Sequence, residues 1–374
     1  RVGVMMVSEA KIEGFAGGTD RHIPVLLNEV MTALLETPER DHKKQRRQDK
    51  DTLSTVIKTV ADGISSDNEE IYIDGTFGAG GYSRAILSGT NARVIGIDQD
   101  PDAIRDGRSM LREFGPRLEL CEGRFSDMVS HALKLGITQV DGVVLDIGVS
   151  SMQLDQEGRG FSFRNSGPLD MRMSQSGPTA ADLVNGLAEE EIANVLYRFG
   201  EERKSRYIAK AIVERRVDEP FRTTTALAEL IEKVVFKKAS DKIHPATRSF
   251  QALRIYLNDE LGELLRGLNA ASQILKPGGR LVVVSFHSLE DRIVKNYLRT
   301  AAGRVPNQSR HLPDLNKESC PSFQIINPKA VKASEEEMSF NKRARSAVLR
   351  SAIRTVHPPL EFDETDLGIK SLQL

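Results

Sequence analysis

Ile71-Tyr72-Ile73-Asp74-Gly75-Thr76-Phe77-Gly78-Ala79-Gly80-Gly81-Tyr82-Ser83 reads as a short apolar strand that runs into a glycine-dense turn and then into a helix. Val94-Ile95-Gly96-Ile97-Asp98 follows, a second strand ending on a carboxylate. Glycine lets backbone lie close to a ligand, and an acidic residue about twenty positions further on suits the hydroxyls of a ribose in a Rossmann-like unit. The pair points to a nucleoside-containing cofactor. Glycines at 75, 78, 80 and 81 fit neither GxGxxG nor a P-loop, which needs Gly-Lys-Ser/Thr. Asp74, at the mouth of the turn, would repel a pyrophosphate. S-adenosylmethionine carries adenosine without phosphate, and its ammonium is a partner that a carboxylate holds directly or through water. The charge logic selects that cofactor; a plain tight turn with a capped helix is the alternative for the turn taken alone.

Strand signals recur at 93–98, 117–121, 140–146 and 280–285, with helical patterns between most of them, which predicts a parallel α/β sheet. After Asp146 the rhythm stops for nearly a hundred residues without a convincing strand. Ala180 to Phe199 and Arg203 to Val217 show helical spacing, and Thr223-Thr224-Thr225 offers a cap for Ala226 to Phe236. The expected division is a Rossmann-like α/β sheet domain over 22–154 and 244–356 with an all-helical insertion over 155–243. Phe250, Leu253, Leu257, Leu261, Leu264 and Leu268 mark one apolar helix face before Lys276-Pro277-Gly278-Gly279 turns into the next strand. Beyond Asn296 the chain reads as mostly loop, with an edge strand over Ser346 to Ile353 and a flexible acidic tail over 357–374. Residues 1–21 read as disordered, and 39–70 as a charged surface insertion carrying His42-Lys43-Lys44-Gln45-Arg46-Arg47.

The 374 residues, 39% hydrophobic and 28% charged, suit a globular protein with one large α/β domain and an added module. No apolar run reaches the roughly 18 residues of a membrane span, and no signal peptide is apparent, so a cytoplasmic protein is expected. Cys121 and Cys320 stand far apart without a CxxC or Cys/His cluster, which argues against a zinc site or disulfide framework. A net charge of -1 gives no global pull toward nucleic acid, so such a partner must meet local basic patches.

Ligands of open parallel sheets bind at the carboxyl ends of strands, so the loops there carry the chemistry. Asp98 suits a ribose diol, with Asp100 and Pro101 capping the next helix. In Gly123-Arg124-Phe125-Ser126-Asp127, Phe125 is a candidate adenine wall, or core, and Asp127 a helix cap or adenine acceptor. The loop Leu145-Asp146-Ile147-Gly148-Val149-Ser150-Ser151-Met152-Gln153 ends a buried strand on a carboxylate beside small hydroxyl residues, where a reacting group should approach.

Tyr72 to Gly81, Leu145 to Ser151, Arg159-Gly160-Phe161-Ser162-Phe163, Gly167 to Met173, Gly200-Glu201-Glu202-Arg203, His244 to Arg248 and Ser285-Phe286-His287-Ser288-Leu289-Glu290-Asp291-Arg292 together resemble the bacterial small-subunit ribosomal RNA cytosine-N4 methyltransferase family, from His22 to about Ile353. The resemblance implies S-adenosylmethionine contacts at Gly80, Gly81, Tyr82, Asp98, Phe125, Asp146 and Gln153, and methylation of a cytidine in the decoding region; the sequence itself carries no metal motif, so no metal is expected. The implied partner is small-subunit ribosomal RNA or the assembled subunit, with the protein a monomer or homodimer. Tyr82 stands where many relatives carry His, and the charged insertion is longer than usual. The loop after Asp146 lacks the Pro-Pro-aromatic clamp of many amino-methyltransferases and the Pro-Cys nucleophile of cytosine-C5 enzymes. Asp146 is then the candidate acceptor for the substrate amine or a cofactor ligand, Ser150 and Ser151 secondary hydrogen-bonders, and His287 a proton acceptor or a structural histidine. Arg159, Phe161, Phe163, Arg164 and Arg172 are candidates for RNA contact, or a packed loop, and the helix from Arg203 to Arg216 a phosphate track or a solvated face. A noncatalytic RNA-binding assembly factor, and a methyltransferase acting on DNA or protein, are the competing functions.

Overall fold

The computed structural model describes residues 24–35, 69–236, 243–304 and 320–368. The N-terminal segment 1–21 and all but the last two residues of the charged insertion lie outside the described residues. Helix α1 (Leu27–Leu35) precedes β1 (Ile71–Asp74), α2 (Gly81–Gly89), β2 (Arg93–Asp98), α3 (Pro101–Phe114), β3 (Leu118–Glu122), α4 (Met128–Lys134) and β4 (Val140–Asp146). Then come α5 (Ser151–Asp155), α6 (Ala180–Gly186), α7 (Glu189–Gly200), α8 (Ser205–Asp218), α9 (Thr224–Val235), α10 (Thr247–Asn258) and α11 (Glu260–Ile274). The chain re-enters the sheet through β5 (Leu275–Ser285) and continues as α12 (Ser288–Ala301), β6 (Phe323–Ile325), β7 (Val331–Lys332), α13 (Glu335–Phe340) and β8 (Val348–Arg354).

The sheet order is β3-β2-β1-β4-β5-β8-β6, with β7 pairing β8. Strands β1 to β5 are parallel, and β8 runs antiparallel to β5, β6 and β7. The order reverses between β1 and β4, which opens a crevice at their carboxyl ends. Alternation along the strands feeds two cores: Leu281 and Val283 face one side with Ile73, Val143 and Leu145, while Val282 and Val284 face the other with Tyr72, Val94 and Val144. The first core continues without a break into the helices after β4, through Val184, Leu196, Phe199, Ile208 and Leu227. Among the described residues no helix is long and apolar enough to cross a membrane.

Four local expectations change. The helix expected over Ala180 to Phe199 is two, because Thr179 boxes the start of α6 and Glu191 reaches back to the Ala188 N–H at 2.8 Å to start α7 afresh. The apolar face from Phe250 to Leu268 likewise spans α10 and α11, broken at Asp259 with φ 51°. Strand β8 is interior rather than an edge, since β6 and β7 cover its far side. The tail expected to be loose is docked as far as Leu367: Asn269 exchanges two hydrogen bonds with the Phe362 backbone (2.9 and 3.1 Å), Asn296 holds the Leu367 carbonyl at 3.0 Å, and the Leu367 side chain is buried.

Candidate active site

Asp74 ends β1 fully buried, and its Oδ2 accepts from the Ser83 hydroxyl at 2.7 Å and the Ser83 N–H at 3.2 Å. The carboxylate therefore fastens the turn to the first helical residues of α2, and does not line the cavity beyond the turn. Gly78 and Gly80 adopt φ 52° and 76°, conformations that favour glycine. A side chain at Gly80 would strike Met110 and Phe77, so this residue lets the turn pack inward and is not itself in the cavity wall. Gly81 does line the cavity, and a Cβ there would come within 2.2 Å of Pro24 Cγ. Gly81→Ala is expected to cost about 1–3 kcal/mol by overpacking, read as a lower Tm, because Pro24 has to move. The Tyr82 hydroxyl donates to the Val25 carbonyl, and the ring is buried, so its side chain anchors the segment before α1 over the turn.

Across the turn, Asp98 Oδ2 accepts the Gly78 N–H at 2.7 Å and Oδ1 accepts the Asp100 N–H at 2.8 Å. Those bonds set the carboxylate at the cavity wall with one lone pair per oxygen left for a diol. Phe125 forms the next wall, its ring held against Gly267 of α11, where a Cβ would sit 2.2 Å away. Ser126 tethers this turn to Glu263 through two bonds of 2.9 Å. Asp127 makes no side-chain cap bond and is not in the cavity wall.

Burial lifts the carboxyls of both Asp74 and Asp98 to about 6, against the hydrogen bonds that hold them ionised. A cationic ligand favours the ionised forms, so affinity for S-adenosylmethionine is expected to be constant above about pH 7 and to fall as the pH drops through 6. Stability moves the other way. The ligand-free native state binds more protons than the unfolded chain between about pH 4 and 6, so these two groups make the protein less stable as pH rises through that window. Calorimetric titration and thermal melts at pH 5, 6, 7 and 8 check both signs.

Asp146 ends β4. Its N–H donates to the Thr76 hydroxyl at 2.7 Å, which ties the strand end to the glycine turn, and its enclosed Oδ1 has no hydrogen-bond partner among the described residues. Burial, reinforced by the charges of Asp74 and Glu290, pushes its carboxyl well above the ordinary range. Ser150 caps α5, accepting the Gln153 N–H at 3.2 Å, while Gln153 Oε1 accepts the Ser150 N–H at 3.1 Å. Gln153 also donates to Asp100 at 2.8 Å, so both side chains shape the loop while lining the cavity; Ser151 does not line it. His287 is the N-cap of α12: Nδ1 accepts the Glu290 N–H at 3.4 Å and Nε2 lies 2.9 Å from Glu290 Oε1. Burial raises the Glu290 carboxyl, but His287 and Arg254 beside it, with the Phe286 N–H, hold it below its usual value. This is the structural-histidine arrangement, with Nδ1 on the Glu290 backbone N–H and Nε2 beside its carboxylate.

The RNA candidates divide. Arg159 is an internal clamp, 2.7 Å from Asp100 and bonded to the Arg172 and Met173 carbonyls, and Arg172 is paired with Asp170 at 2.7 Å. Phe161 is buried, and Phe163 packs on the His244 and Phe250 rings at 4.7 Å. Arg164 lines the cavity mouth. In α8 and its N-cap, Lys204, Arg215 and Arg216 are spent on carbonyls of neighbouring helices, leaving Arg206 and Lys210 on the exposed face. Sequence reasoning missed Asp100 as the junction of Gln153, Arg159 and Gln175, Pro24 as a cover over Gly81, and a carboxylate cluster of Glu260 and Glu290 around Arg254. Only His287-Ser-Leu-Glu290, a capping-box spacing, signalled the last. Glu260, His287 and Glu290 bring ligand atoms within 4.8 Å of one another, but Arg254 occupies Glu260 at 2.7 and 2.8 Å, which makes the group an ion-pair network.

The glycine turn, Asp98, Phe125, Asp146, His287 and Arg254 all border one open cavity of about 830 Å³. That volume is in the upper part of the ~300–1,000 Å³ range of small-molecule sites, room for a nucleoside cofactor and a base together. S-adenosylmethionine fits these walls: a carboxylate with spare lone pairs for the ribose, an aromatic wall, close-lying glycine backbone and an excess of buried negative charge for a cation. A five-stranded parallel sheet in the order 3-2-1-4-5, extended by a reversed strand and bearing this site at its switch point, defines a Rossmann-like S-adenosylmethionine-dependent methyltransferase. The chain belongs to the MraW methylase family, whose sequence profile matches residues 19–355. It is 52% identical over 320 residues to the ribosomal RNA small subunit methyltransferase H of Parvibaculum lavamentivorans, covering 86% of this chain and 94% of that protein. The protein of the same name from Hyphomonas neptunium is 52% identical, covering 93% and 92%, and that from Nitrobacter hamburgensis 55% identical, covering 81% and 90%.

Proposed function

We propose that this protein transfers a methyl group from S-adenosylmethionine to N4 of a cytidine in the decoding region of small-subunit ribosomal RNA, within the assembling or assembled subunit in the cytoplasm. The observation that carries the reading is Asp146 Oδ1, a buried acceptor with no partner among the described residues, on the wall of the cofactor cavity. When bound, the cofactor supplies an electrophilic methyl, so the chain's task is placement. The amino group of cytosine is conjugated with its ring, and an acceptor for one of its N–H bonds turns the lone pair out of conjugation and toward the methyl. Asp146 is that acceptor, held by β4 and by the Thr76 bond to its backbone. Ser150 and Gln153 fix the loop that passes over the base, and His287 fixes Glu290. Gly81, Tyr82, Asp98, Phe125 and Gln153 form the cofactor walls, with Gly80 behind them.

The helices over 155–243 form the substrate-reading module, with Arg206 and Lys210 facing phosphate and Arg164 at the cavity mouth. A base paired in a duplex does not reach Asp146, so the target is single-stranded or turned out of its stack. Incubating the protein with methyl-labelled cofactor and, separately, small subunits, naked RNA, DNA and protein extract tests the reading. Label recovered as N4-methylcytidine from small subunits supports it; label in DNA, in protein or nowhere refutes it.

A further inference from the structure

We propose that Arg254 reads the target base, donating from Nη1 to N3 and O2 of cytosine while Asp146 accepts from N4; this rests on the reading of cytidine as substrate. Arg254 projects from α10 with its side chain 16% exposed, and it lines the same cavity as Asp146. Its Nε and Nη2 are fixed on Glu260 at 2.7 and 2.8 Å, a two-pronged pair that locks the guanidinium plane. Among the described residues those are its only side-chain hydrogen bonds, so Nη1 keeps two N–H donors. Glu290 connects it to the reacting end. It interacts with both Arg254 and Asp146, and its Oε1 lies 3.9 Å from where a Cβ on Gly148, two residues past Asp146, would sit.

A fixed donor and a fixed acceptor on the walls of one cavity match one pyrimidine edge. Cytosine offers a donor at N4 and acceptors at N3 and O2. Uracil presents an acceptor at O4 and a donor at N3, and meets both protein groups with the wrong polarity. Arginine suits the task because it stays protonated at every working pH. Glu260 is a positioning residue, acting through Arg254.

The test is a chemical cycle on small subunits reconstituted with cytidine or 3-deazacytidine, which lacks the N3 acceptor, at the target position. Wild type is compared with Arg254→Lys and with the double variant Arg254→Met/Glu260→Gln, which removes both members of the buried pair and leaves Glu290 with His287 as its neighbour. Expected is a cytidine-to-3-deazacytidine ratio of kcat/KM about tenfold or more larger in wild type than in either variant. Calorimetry of both nucleosides with protein saturated with S-adenosylhomocysteine should show the same loss of preference, which serves where a variant turns over too slowly. S-adenosylmethionine affinity should stay within about twofold. Equal ratios and equal nucleoside preferences in wild type and variants would overturn the proposal. A tenfold loss of S-adenosylmethionine affinity with equal ratios would assign Arg254 to the cofactor carboxylate, which also overturns it. No methylated cytidine from wild type on natural subunits would instead refute the reading of the substrate.

Discussion

Asp146→Ala is expected to lower kcat for methyl transfer by about 100- to 10,000-fold, the range of a positioned acceptor in a transition state, with S-adenosylmethionine affinity changed only a few-fold. The backbone bond from Asp146 to Thr76 survives the substitution, so the turn and the cofactor walls stay in place. What goes is the enclosed Oδ1 at the strand end, which has no partner among the described residues. Because the carboxyl is pushed up by burial and by two neighbouring carboxylates, the change also removes a group that is costly to bury, and the melting temperature should hold or rise. Asp146→Asn separates the two parts of the role: it keeps an oxygen acceptor for the amine but no basic site for a proton. An intermediate rate for Asn identifies acceptance as the larger part, and a rate as low as Ala identifies proton removal. A folded Asp146→Ala protein with near wild-type turnover would end the assignment.

Asp98→Ala should weaken S-adenosylmethionine by about 100-fold, since two charge-assisted bonds to a ribose diol are worth roughly 1.5–3 kcal/mol each before the usual non-additivity. The substitution also strips the acceptor from the Gly78 and Asp100 N–H groups, loosening the turn that brings backbone to the ligand. Calorimetry reads the loss directly. At saturating cofactor kcat should recover to within a few-fold of wild type, because Asp98 is not part of the reacting end. Asp98→Asn, which restores an oxygen toward one backbone partner, should fall between the two. Unchanged affinity in Asp98→Ala would remove the ribose assignment.

The strands and the crevice were legible because they are local: an apolar run, a carboxylate at its end, and glycines where φ is positive at 78 and 80. Asp98 and Phe125 were found by position after a strand, and both line the cavity. Long-range partners were not legible. Arg159 looked like a nucleic-acid contact because its destination, Asp100, lies 59 residues away, and Arg216 looked solvated because the carbonyls it serves belong to a helix end about 30 residues back. The helix breaks at Leu187 and Asp259 were hidden by apolar spacing that carries across them, since a break that keeps the same face costs the pattern nothing. Arg254 sat in a stretch read only for its leucines, and its pairing with Glu260 needs the reversal at Asp259 to bring the two together.

If this chain makes N4-methylcytidine in small-subunit RNA, that nucleoside depends on it in the cell. Mass spectrometry of nucleosides from small subunits of cells lacking the protein, complemented with wild type or with Asp146→Ala, tests it most directly. The modified nucleoside is expected to disappear on deletion, to return with wild type and to stay absent with Asp146→Ala. Persistence of N4-methylcytidine in the deletion strain at wild-type level would contradict it.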